Sequence, residues 1–333
     1  MAVTDDKKLT KIPVSIVTGF LGSGKTTLLN FLTAQPDMSD IALIINEFGE
    51  VGLDNLLIES SIENTLLLEN GCICCSIRGD LVDTITDLFT KVKIGQIPKF
   101  KRIVIETTGL ANPGPIINSI RNEQLVSKKC ELDNVITLVD GMLGSNQLHK
   151  YQEVKVQISQ ADLCLISKCD IVSIDKISNL EENLLKINPI ISIKKIKNGQ
   201  VDPKFLFAKK LPGFRRIENL SQHSHGGEDS FAHGAISNWS FEGNNEIDET
   251  RFNEWITMLY TLRPYAMLRM KGIVKFKNRS QPILIQGVGK SVGNTQELDG
   301  WPPGLNKTRL ILIFNGLSQG AIDASFSRWV LDA

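Results

Sequence analysis

A glycine-rich segment near the N-terminus has the spacing of a loop that binds nucleotide phosphates. Residues 19–26, GFLGSGKT, match the pattern G-x-x-x-x-G-K-[ST], between an apolar stretch and a helix-forming stretch. Glycines let backbone N–H groups converge on phosphate oxygens, and the following helix adds the positive end of its dipole. An accidental glycine-rich turn would not account for both flanking elements. The expected phosphate and Mg²⁺ contacts come from Gly19, Gly22, Ser23, Gly24, Lys25, Thr26 and Thr27, with Lys25 on the β- and γ-phosphates and the Thr26 hydroxyl on Mg²⁺.

Two further residues are candidates for catalysis with Lys25 and Thr26. Glu106 ends the apolar run RIVIE, and Gly109 follows it in ETTG. We expect Glu106 to hold Mg²⁺ through a water molecule and the Gly109 N–H to bind the γ-phosphate. Hydrolysis would then depend on positioning and charge stabilisation. We identify no glutamine or arginine that would orient the attacking water, so slow intrinsic turnover is expected.

The motif SKCD, residues 167–170, predicts the base that is bound. An aspartate at position 170 accepts hydrogen bonds from both N1–H and the exocyclic amine of guanine, a donor pair that adenine lacks. The aliphatic stem of Lys168 would lie across the base, and Ser167 stands where Asn or Thr is more usual. The alternatives are a polar strand end with an exposed aspartate, or an ATPase. Because buried polar contacts to one ligand reject another strongly, GTP is favoured over ATP.

The segment GCICC, residues 71–75, carries three of the six cysteines in what we interpret as a loop. Thiolates favour Zn²⁺ and other soft ions, while Mg²⁺ prefers oxygen. A closed zinc site normally uses two separated ligand pairs, so Cys72, Cys74 and Cys75 suggest an open site that exchanges its ion. The alternatives are small buried side chains at a turn, or redox-sensing thiols. Cys164 lies in an apolar run and is expected to be buried, whereas Cys130 is uninformative.

The elements that position these residues alternate between strand and helix. Apolar β-branched runs predict strands at 13–19, 41–46, 102–109, 134–140 and 161–170, and helices are predicted at 25–35, 81–92 and 177–188. This alternation predicts an α/β fold, a P-loop NTPase with a doubly wound, mostly parallel sheet. We assign residues 1–211 to it, 212–235 to a flexible histidine-containing linker, and 236–333 to a smaller α+β domain.

Composition excludes several classes of partner. The chain of 333 residues has 37 basic and 37 acidic residues, so its zero net charge gives no electrostatic reason to bind nucleic acid. The charged N-terminus does not resemble a secretion signal, and no apolar run is long enough to cross a bilayer. We expect a cytoplasmic protein without membrane partners, in which clustered cysteines bind metal more often than they form disulfides.

Five motifs in this order resemble the CobW-type family of P-loop GTPases, relatives of the HypB and UreG metallochaperones. They are GFLGSGKTT, NEFGEVGLD (46–54), NGCICCSIRGDL (70–81), ETTGLANPGP (106–115) and SKCD. The resemblance spans the chain, including the family's C-terminal domain, and is closer to the zinc-associated branch. It implies that Cys72, Cys74 and Cys75 bind Zn²⁺, or alternatively Co²⁺, and that GTP hydrolysis drives delivery to a client metalloprotein that docks on the C-terminal domain.

The predicted switch and the linker histidines each allow two interpretations. NEFGEVGLD would be a switch in which Glu50 completes the metal site, although Glu47 and Glu50 would equally suit a solvated loop. His223, His225 and His233 form a short version of the family's histidine tract, for which a solvated linker is favoured over a metal-collecting site. The alternative functions are a cobalt or iron insertion activator for one enzyme and a metal-independent regulatory GTPase. The sequence leaves the client, the metal and formation of a homo-oligomer undetermined.

Overall fold

The computed structural model describes residues 11–46, 61–62, 65–67, 73–76, 80–207, 236–293 and 295–332. The predicted linker and its histidines lie outside these residues. The strands of the first part are β1 (Ile12–Gly19), β2 (Ile41–Asn46), β3 (Ser61–Ile62), β4 (Thr65–Leu67), β5 (Ile73–Ser76), β6 (Arg102–Thr107), β7 (Cys130–Asp140), β8 (Leu163–Ser167) and β9 (Ser192–Lys195). Its helices are α1 (Lys25–Thr33), α2 (Leu81–Lys93), α3 (Gly114–Asn122), α4 (Gln124–Ser127), α5 (Gly144–Lys150), α6 (Gln152–Gln160), α7 (Ile174–Ile187) and α8 (Pro203–Phe207).

The strands form one sheet in the order β3-β4-β5-β2-β6-β1-β7-β8-β9. Every pairing from β5 to β9 is parallel, and β3 and β4 add an antiparallel edge. Helices cover both faces, because alternate strand residues point to opposite sides. Ile103 and Ile105 pack in a core with α2 and α3, whereas Val104 packs with α1 on the other face. The predicted doubly wound, mostly parallel α/β sheet is confirmed.

Strand β7 begins at Cys130, four residues before the predicted start at 134. The added segment is partly polar because it lies near the amino-terminal end of the sheet, where charges are paired. Asp133 accepts a hydrogen bond from Arg102 of β6, and Arg102 also donates to Ser15 Oγ of β1 at 2.8 Å. Hydrophobic periodicity alone therefore underestimates the length of this strand.

The C-terminal part contains a second, antiparallel sheet. Its strands are β10 (Ile236–Gly243), β11 (Met267–Val274), β12 (Ile283–Val288), β13 (Ser291–Val292), β14 (Gln296–Glu297) and β15 (Thr308–Asn315), and its helices are α9 (Glu249–Leu262) and α10 (Gln319–Phe326). The order is β10-β15-β11-β12-β13, with β14 beside β12. An aromatic core joins this sheet to both helices, including a T-shaped contact of 4.9 Å between the rings of Trp255 and Phe326. The predicted α+β character is confirmed. Helix α10 is followed directly by a π-helical turn at Ser327–Leu331.

The two sheets are joined by a buried group of charged residues. Asp162, just before β8, accepts hydrogen bonds from Arg269 and Lys271 of β11. The exposed fractions of the Arg269 and Lys271 side chains are only 2% and 7%, so the pairing is shielded from solvent. Apolar contact accompanies it, since Ile190 packs with Ile273 and Ile311 in one cluster. Because removal of one partner from a buried ion pair strands the other, Asp162 is expected to anchor the C-terminal domain.

Acid is expected to weaken this anchor. Burial acts to raise the pKa of Asp162, but attraction to Arg269 and Lys271 outweighs it and lowers the pKa to about 2. A carboxyl group whose pKa is lower in the folded state stabilises the fold above its unfolded pKa of about 3.9, and this stabilisation is lost as the pH falls. We expect the free energy of unfolding to lose about 1 kcal/mol through this group by pH 3 and about 2 kcal/mol by pH 2. Urea denaturation at several pH values measures this loss. Asp162→Asn should be less stable at neutral pH and should lack this component of the acid dependence; an unchanged dependence would contradict the assignment.

Among the described helices, none combines the length and apolar composition that crossing a membrane requires.

Candidate functional site

The predicted phosphate loop lies at the carboxyl edge of the parallel sheet, between the end of β1 at Gly19 and the start of α1 at Lys25. Gly24 caps the helix with φ 99°, a left-handed conformation that favours glycine. At Gly19 (φ 145°), a Cβ atom would lie 2.4 Å from the Leu138 carbonyl oxygen and 2.7 Å from Ser23 Oγ. Backbone conformation therefore favours glycine at both positions, and close packing also requires it at Gly19.

The side chains of this loop form a cationic cradle. The Lys25 ammonium donates hydrogen bonds to the carbonyl oxygens of Gly19 (3.0 Å) and Phe20 (3.4 Å), and the residue is only 6% exposed. Ser23 is fully buried, and its Oγ atom makes no hydrogen bond within the part of the chain that the structure describes. Thr26 and Thr27 are exposed on the first turn of α1. Lys25 and the N-terminus of α1 give this loop the positive charge that suits an anionic phosphate group.

The two catalytic candidates, Glu106 near the end of β6 and Gly109 just after it, lie beside this loop. Glu106 is level with Val17 of the neighbouring β1 and is 3% exposed. The next residue, Thr107, donates from its hydroxyl to Thr18 Oγ1 at 2.8 Å and so links the ends of the two strands. A Cβ on Gly109 would lie 2.5 Å from Leu21 Cδ2 and 2.8 Å from Leu21 N. The loop after β6 thus packs directly on the phosphate loop, with no room for a side chain at position 109.

The predicted base-recognition motif is tied to the same loop. Ser167, at the end of β8, donates from Oγ to the Ser23 carbonyl oxygen at 2.7 Å. This contact gives a structural role to the serine that stands where Asn or Thr is more usual. Lys168 adopts φ 56°, and the exposed Asp170 follows two residues later. The sheet therefore brings the predicted base and phosphate contacts together at one edge, where ligands of open α/β sheets bind.

Asp140 is a residue to which the sequence analysis gave no role. It is 1% exposed at the end of β7, and its Oδ2 atom accepts from Lys168 Nζ at 2.6 Å. Its Oδ1 atom accepts from the backbone N–H groups of Met142 (2.8 Å) and Leu143 (3.0 Å). Asp140 therefore fixes both the lysine of the base motif and the turn beside it. The sequence signal for this role was the aspartate that ends the apolar run NVITLVD, residues 134–140, directly before Gly141 and Met142.

The cysteine motif is only partly within the described residues. Cys74 and Cys75 belong to β5, paired with Leu43 and Ile44 of β2, so the interpretation of this segment as a loop is wrong for both. The reason is long-range pairing: β2 on one side and β4 on the other complete the backbone hydrogen bonds of a segment whose sequence resembles a turn. Cys72 and Glu50 lie outside the described residues, as do Glu47, His223, His225 and His233. Within the described ranges, no group of three or more His, Cys, Asp or Glu side chains is arranged to hold a metal ion.

Two further described cysteines, Cys130 and Cys164, are unsuited to metal binding. Cys164 is fully buried, as expected, and Cys130 is 1% exposed. Burial raises the pKa of Cys130 to about 11 and raises that of Cys164 further. Since the thiolate is the metal ligand, these two thiols serve as buried packing groups.

Comparisons with known proteins agree with this arrangement. The profile described as CobW/HypB/UreG, nucleotide-binding domain, matches residues 13–195, and that described as cobalamin synthesis protein cobW C-terminal domain matches residues 236–330. A curated relative, the zinc chaperone YjiA of Escherichia coli, is 34% identical over 280 residues, covering 83% of this chain and 86% of the relative. The zinc-regulated GTPase metalloprotein activator 1 of Schizosaccharomyces pombe is 32% identical over 209 residues, 61% of this chain and 50% of the relative.

The crystal structure of the Zn(II)-bound YjiA GTPase from E. coli matches with a TM-score of 0.75 and 29% identity, covering 96% of this chain and 99% of that chain. The match extends over both sheets, so the two proteins share their architecture.

Proposed function

Because the chain belongs to the CobW/HypB/UreG family of nucleotide-binding proteins, we propose that it is a GTP-hydrolysing metallochaperone that transfers zinc to a client protein. Relatives named zinc chaperone and zinc-regulated GTPase support this function. The cargo ion is held by Cys72, Cys74 and Cys75, with Glu50 as a further ligand. Such thiolates must stay reduced, so the proposal assigns the protein to the cytoplasm.

The observation that carries the proposal is the position of the cysteine strand in the sheet. Strand β5 pairs with β2, and β2 pairs with β6. The registers put Ser76 of β5 and Glu106 of β6 level with the same residue, Ile45 of β2. Since neighbouring strands are about 4.8 Å apart, the backbone of β5 is about 10 Å from that of β6. The cysteine motif and the predicted γ-phosphate site are thus close enough for one to affect the other.

In this proposal GTP is held by the residues around the phosphate loop. Backbone N–H groups of residues 19–25 and the Lys25 ammonium bind the β- and γ-phosphates, and Asp170 accepts from the guanine edge. The exposed Thr26 hydroxyl and the Glu106 carboxylate suit a hard cation and would hold Mg²⁺, which when bound neutralises phosphate charge. The Gly109 N–H binds a γ-phosphate oxygen, so release of phosphate changes the loop that packs on Leu21.

The intervening strand supports coupling between nucleotide and cargo. Strand β2 lies between β5 and β6 and ends at Asn46, the first residue of the predicted switch NEFGEVGLD, residues 46–54. A switch that contacts the γ-phosphate in one state and not in the other would alter the position of Glu50 relative to the thiolates. Metal affinity and nucleotide state would then be linked reciprocally.

In this proposal the client protein binds to the C-terminal domain. That domain is held to the GTPase sheet by buried ion pairs while its segment 262–266 exposes Leu262 (68%) and Tyr265 (76%). Apolar side chains of this size at the surface are available for contact with another protein.

The function is tested by titrating the reduced full-length protein with Zn²⁺, Co²⁺ and Ni²⁺ against a chromophoric chelator, with bound GDP or a non-hydrolysable GTP analogue. We expect the Zn²⁺ affinity to differ between the two nucleotide states by about tenfold or more. The variant Cys72→Ser/Cys74→Ser/Cys75→Ser should lose both high affinity and the nucleotide effect. The matched control Cys130→Ala/Cys164→Ala removes thiols that are protonated and buried, and it should behave like the wild type.

Three other results of this titration would contradict the proposal or favour an alternative function. Equal Zn²⁺ affinity in both nucleotide states would contradict coupled delivery. Unchanged affinity in the triple serine variant would exclude the cysteine motif and favour a metal-independent GTPase. A nucleotide effect confined to Co²⁺ would favour the cobalt activator.

A further inference from the structure

The loop after β6 is hydrogen-bonded to the side chain of a buried glutamine. We call residues 108–113 the sensor loop, because they include Gly109. Gln157 of α6 is fully buried, and its side-chain amide donates hydrogen bonds to the carbonyl oxygens of Gly109 and Ala111, each at 3.1 Å. A buried amide that bonds two carbonyl groups of one loop fixes the loop's backbone orientation. The backbone around Gly109 is thereby positioned by the protein itself.

The next turn of the same helix contacts both the sensor loop and the C-terminal domain. Gln160 donates from Nε2 to Asn112 Oδ1 at 3.2 Å. The same residue's backbone carbonyl accepts from Arg269 Nη1, in β11 of the other sheet, at 2.8 Å. Because residues three apart share one helix face, Gln157 and Gln160 form a continuous contact with the loop. One helical turn therefore spans the distance from Gly109 to the C-terminal domain.

Helix α3, which follows the sensor loop, also meets the C-terminal domain. Gly114 begins this helix, and its N–H donates to Asn112 Oδ1 at 2.9 Å. A Cβ on Gly289, beside β12, would lie 3.8 Å from the Gly114 Cα atom, and one on Gly293 would lie 3.1 Å from Arg121 Cζ of α3. Movement of the loop would have to be accommodated at this close contact.

We propose that Gln157 is a positioning residue that couples the γ-phosphate state at Gly109 to the C-terminal domain through α6 and Arg269. In the GTP state the Gly109 N–H is drawn to the phosphate, and its carbonyl, held by Gln157, moves α6 relative to β11. In the GDP state this constraint is released. The inference rests on the proposed contact between Gly109 and the γ-phosphate and adds the route by which a client site would sense the nucleotide.

Linkage makes the coupling measurable from the nucleotide side. If the γ-phosphate changes the strength of the contact between α6 and β11, that contact must change the preference for a GTP analogue over GDP by an equal factor. A substitution that removes the contact should therefore alter this preference. The ratio of the two dissociation constants is therefore the readout. It separates coupling from a uniform loss of nucleotide binding, which lowers both affinities equally.

The experiment uses the full chain and two substitutions, alone and together. Gln157→Met keeps the length of the side chain and removes both donated hydrogen bonds. Arg269→Lys keeps the charge opposite Asp162 but replaces the guanidinium fork that also reaches the Gln160 carbonyl. We expect the preference for the GTP analogue to fall by about tenfold in Gln157→Met and about fivefold in Arg269→Lys. The double variant should resemble Gln157→Met, since both substitutions interrupt one route.

A matched control and a second measurement guard against a trivial loss of structure. Gln147→Met changes another buried glutamine, on α5, whose side chain forms no hydrogen bond with the described sensor loop, and it should leave the ratio unchanged. Amide hydrogen exchange of β11 in the wild type should differ between the two nucleotide states, and the difference should vanish in Gln157→Met.

An unchanged ratio in Arg269→Lys, or additive effects in the double variant, would overturn the proposed route. So would an equal change in Gln147→Met. These failures leave the nucleotide dependence of Zn²⁺ affinity intact. Failure of the proposed chaperone function would be recognised separately, because the wild-type protein would then show no nucleotide dependence of its Zn²⁺ affinity.

Discussion

Replacement of Lys25 by alanine is expected to lower kcat/KM for GTP by about 10²–10³-fold. Lys25 contributes the side-chain cation of the cradle, with its ammonium on the carbonyl oxygens of Gly19 and Phe20. In the proposed complex this charge moves to the β- and γ-phosphates, where negative charge increases during transfer. Loss of one preorganised donor of this kind typically removes two to three orders of magnitude in rate. Single-turnover and steady-state release of phosphate measure the effect.

Lys91→Ala is the matched control for this prediction. Lys91 is also a helical lysine with 6% exposure, but it pairs with Asp87 on α2 at 2.9 Å, away from the phosphate loop. It should retain GTP turnover, with at most a modest loss of stability. Equal losses in the two variants would attribute the effect of Lys25→Ala to folding, and unimpaired turnover in Lys25→Ala would refute the assignment of the phosphate loop.

Asp170→Asn is expected to reduce the preference for GTP over ATP by about 10²–10⁴-fold. The carboxylate accepts two hydrogen bonds from guanine in the proposed complex, and each bond to a charged group contributes about 1.5–3 kcal/mol. Asparagine offers one acceptor and presents an amide donor to one of the two guanine donors. GTP affinity should fall while ATP affinity changes little, because adenine lacks this donor pair. Competition between labelled GDP and unlabelled GTP or ATP gives the ratio.

The control for this change is Asp175→Asn, a nearby exposed aspartate in the first turn of α7. It removes the same charge without touching the base motif and should leave the ratio unchanged. An unaltered GTP:ATP ratio in Asp170→Asn would favour the ATPase alternative. The position of Ser167 against the phosphate loop would then still explain the motif's packing, but not its specificity.

Much of the fold was predictable because its signals are local. The strands β1, β2 and β6 are short apolar runs that are buried on both faces, and helices follow them at regular intervals. Cys74 and Cys75 show the limit of such signals. Their neighbours Gly71, Arg78 and Gly79 favour a turn, whereas pairing with β2 and β4 makes this segment a strand.

The sequence by itself was enough to predict the phosphate loop, the base motif and the alternation of strands and helices. These features depend on the backbone freedom of glycine, on side-chain chemistry within a few residues and on hydrophobic periodicity. Only the tertiary structure decided which distant groups meet: Ser167 with Ser23, Lys168 with Asp140, Gln157 with Gly109, and Arg269 with Gln160. Such contacts leave no local pattern, because parallel strands and helix packing bring together residues that are dozens to more than a hundred positions apart. The coupling proposed between nucleotide and C-terminal domain depends on this second kind of information.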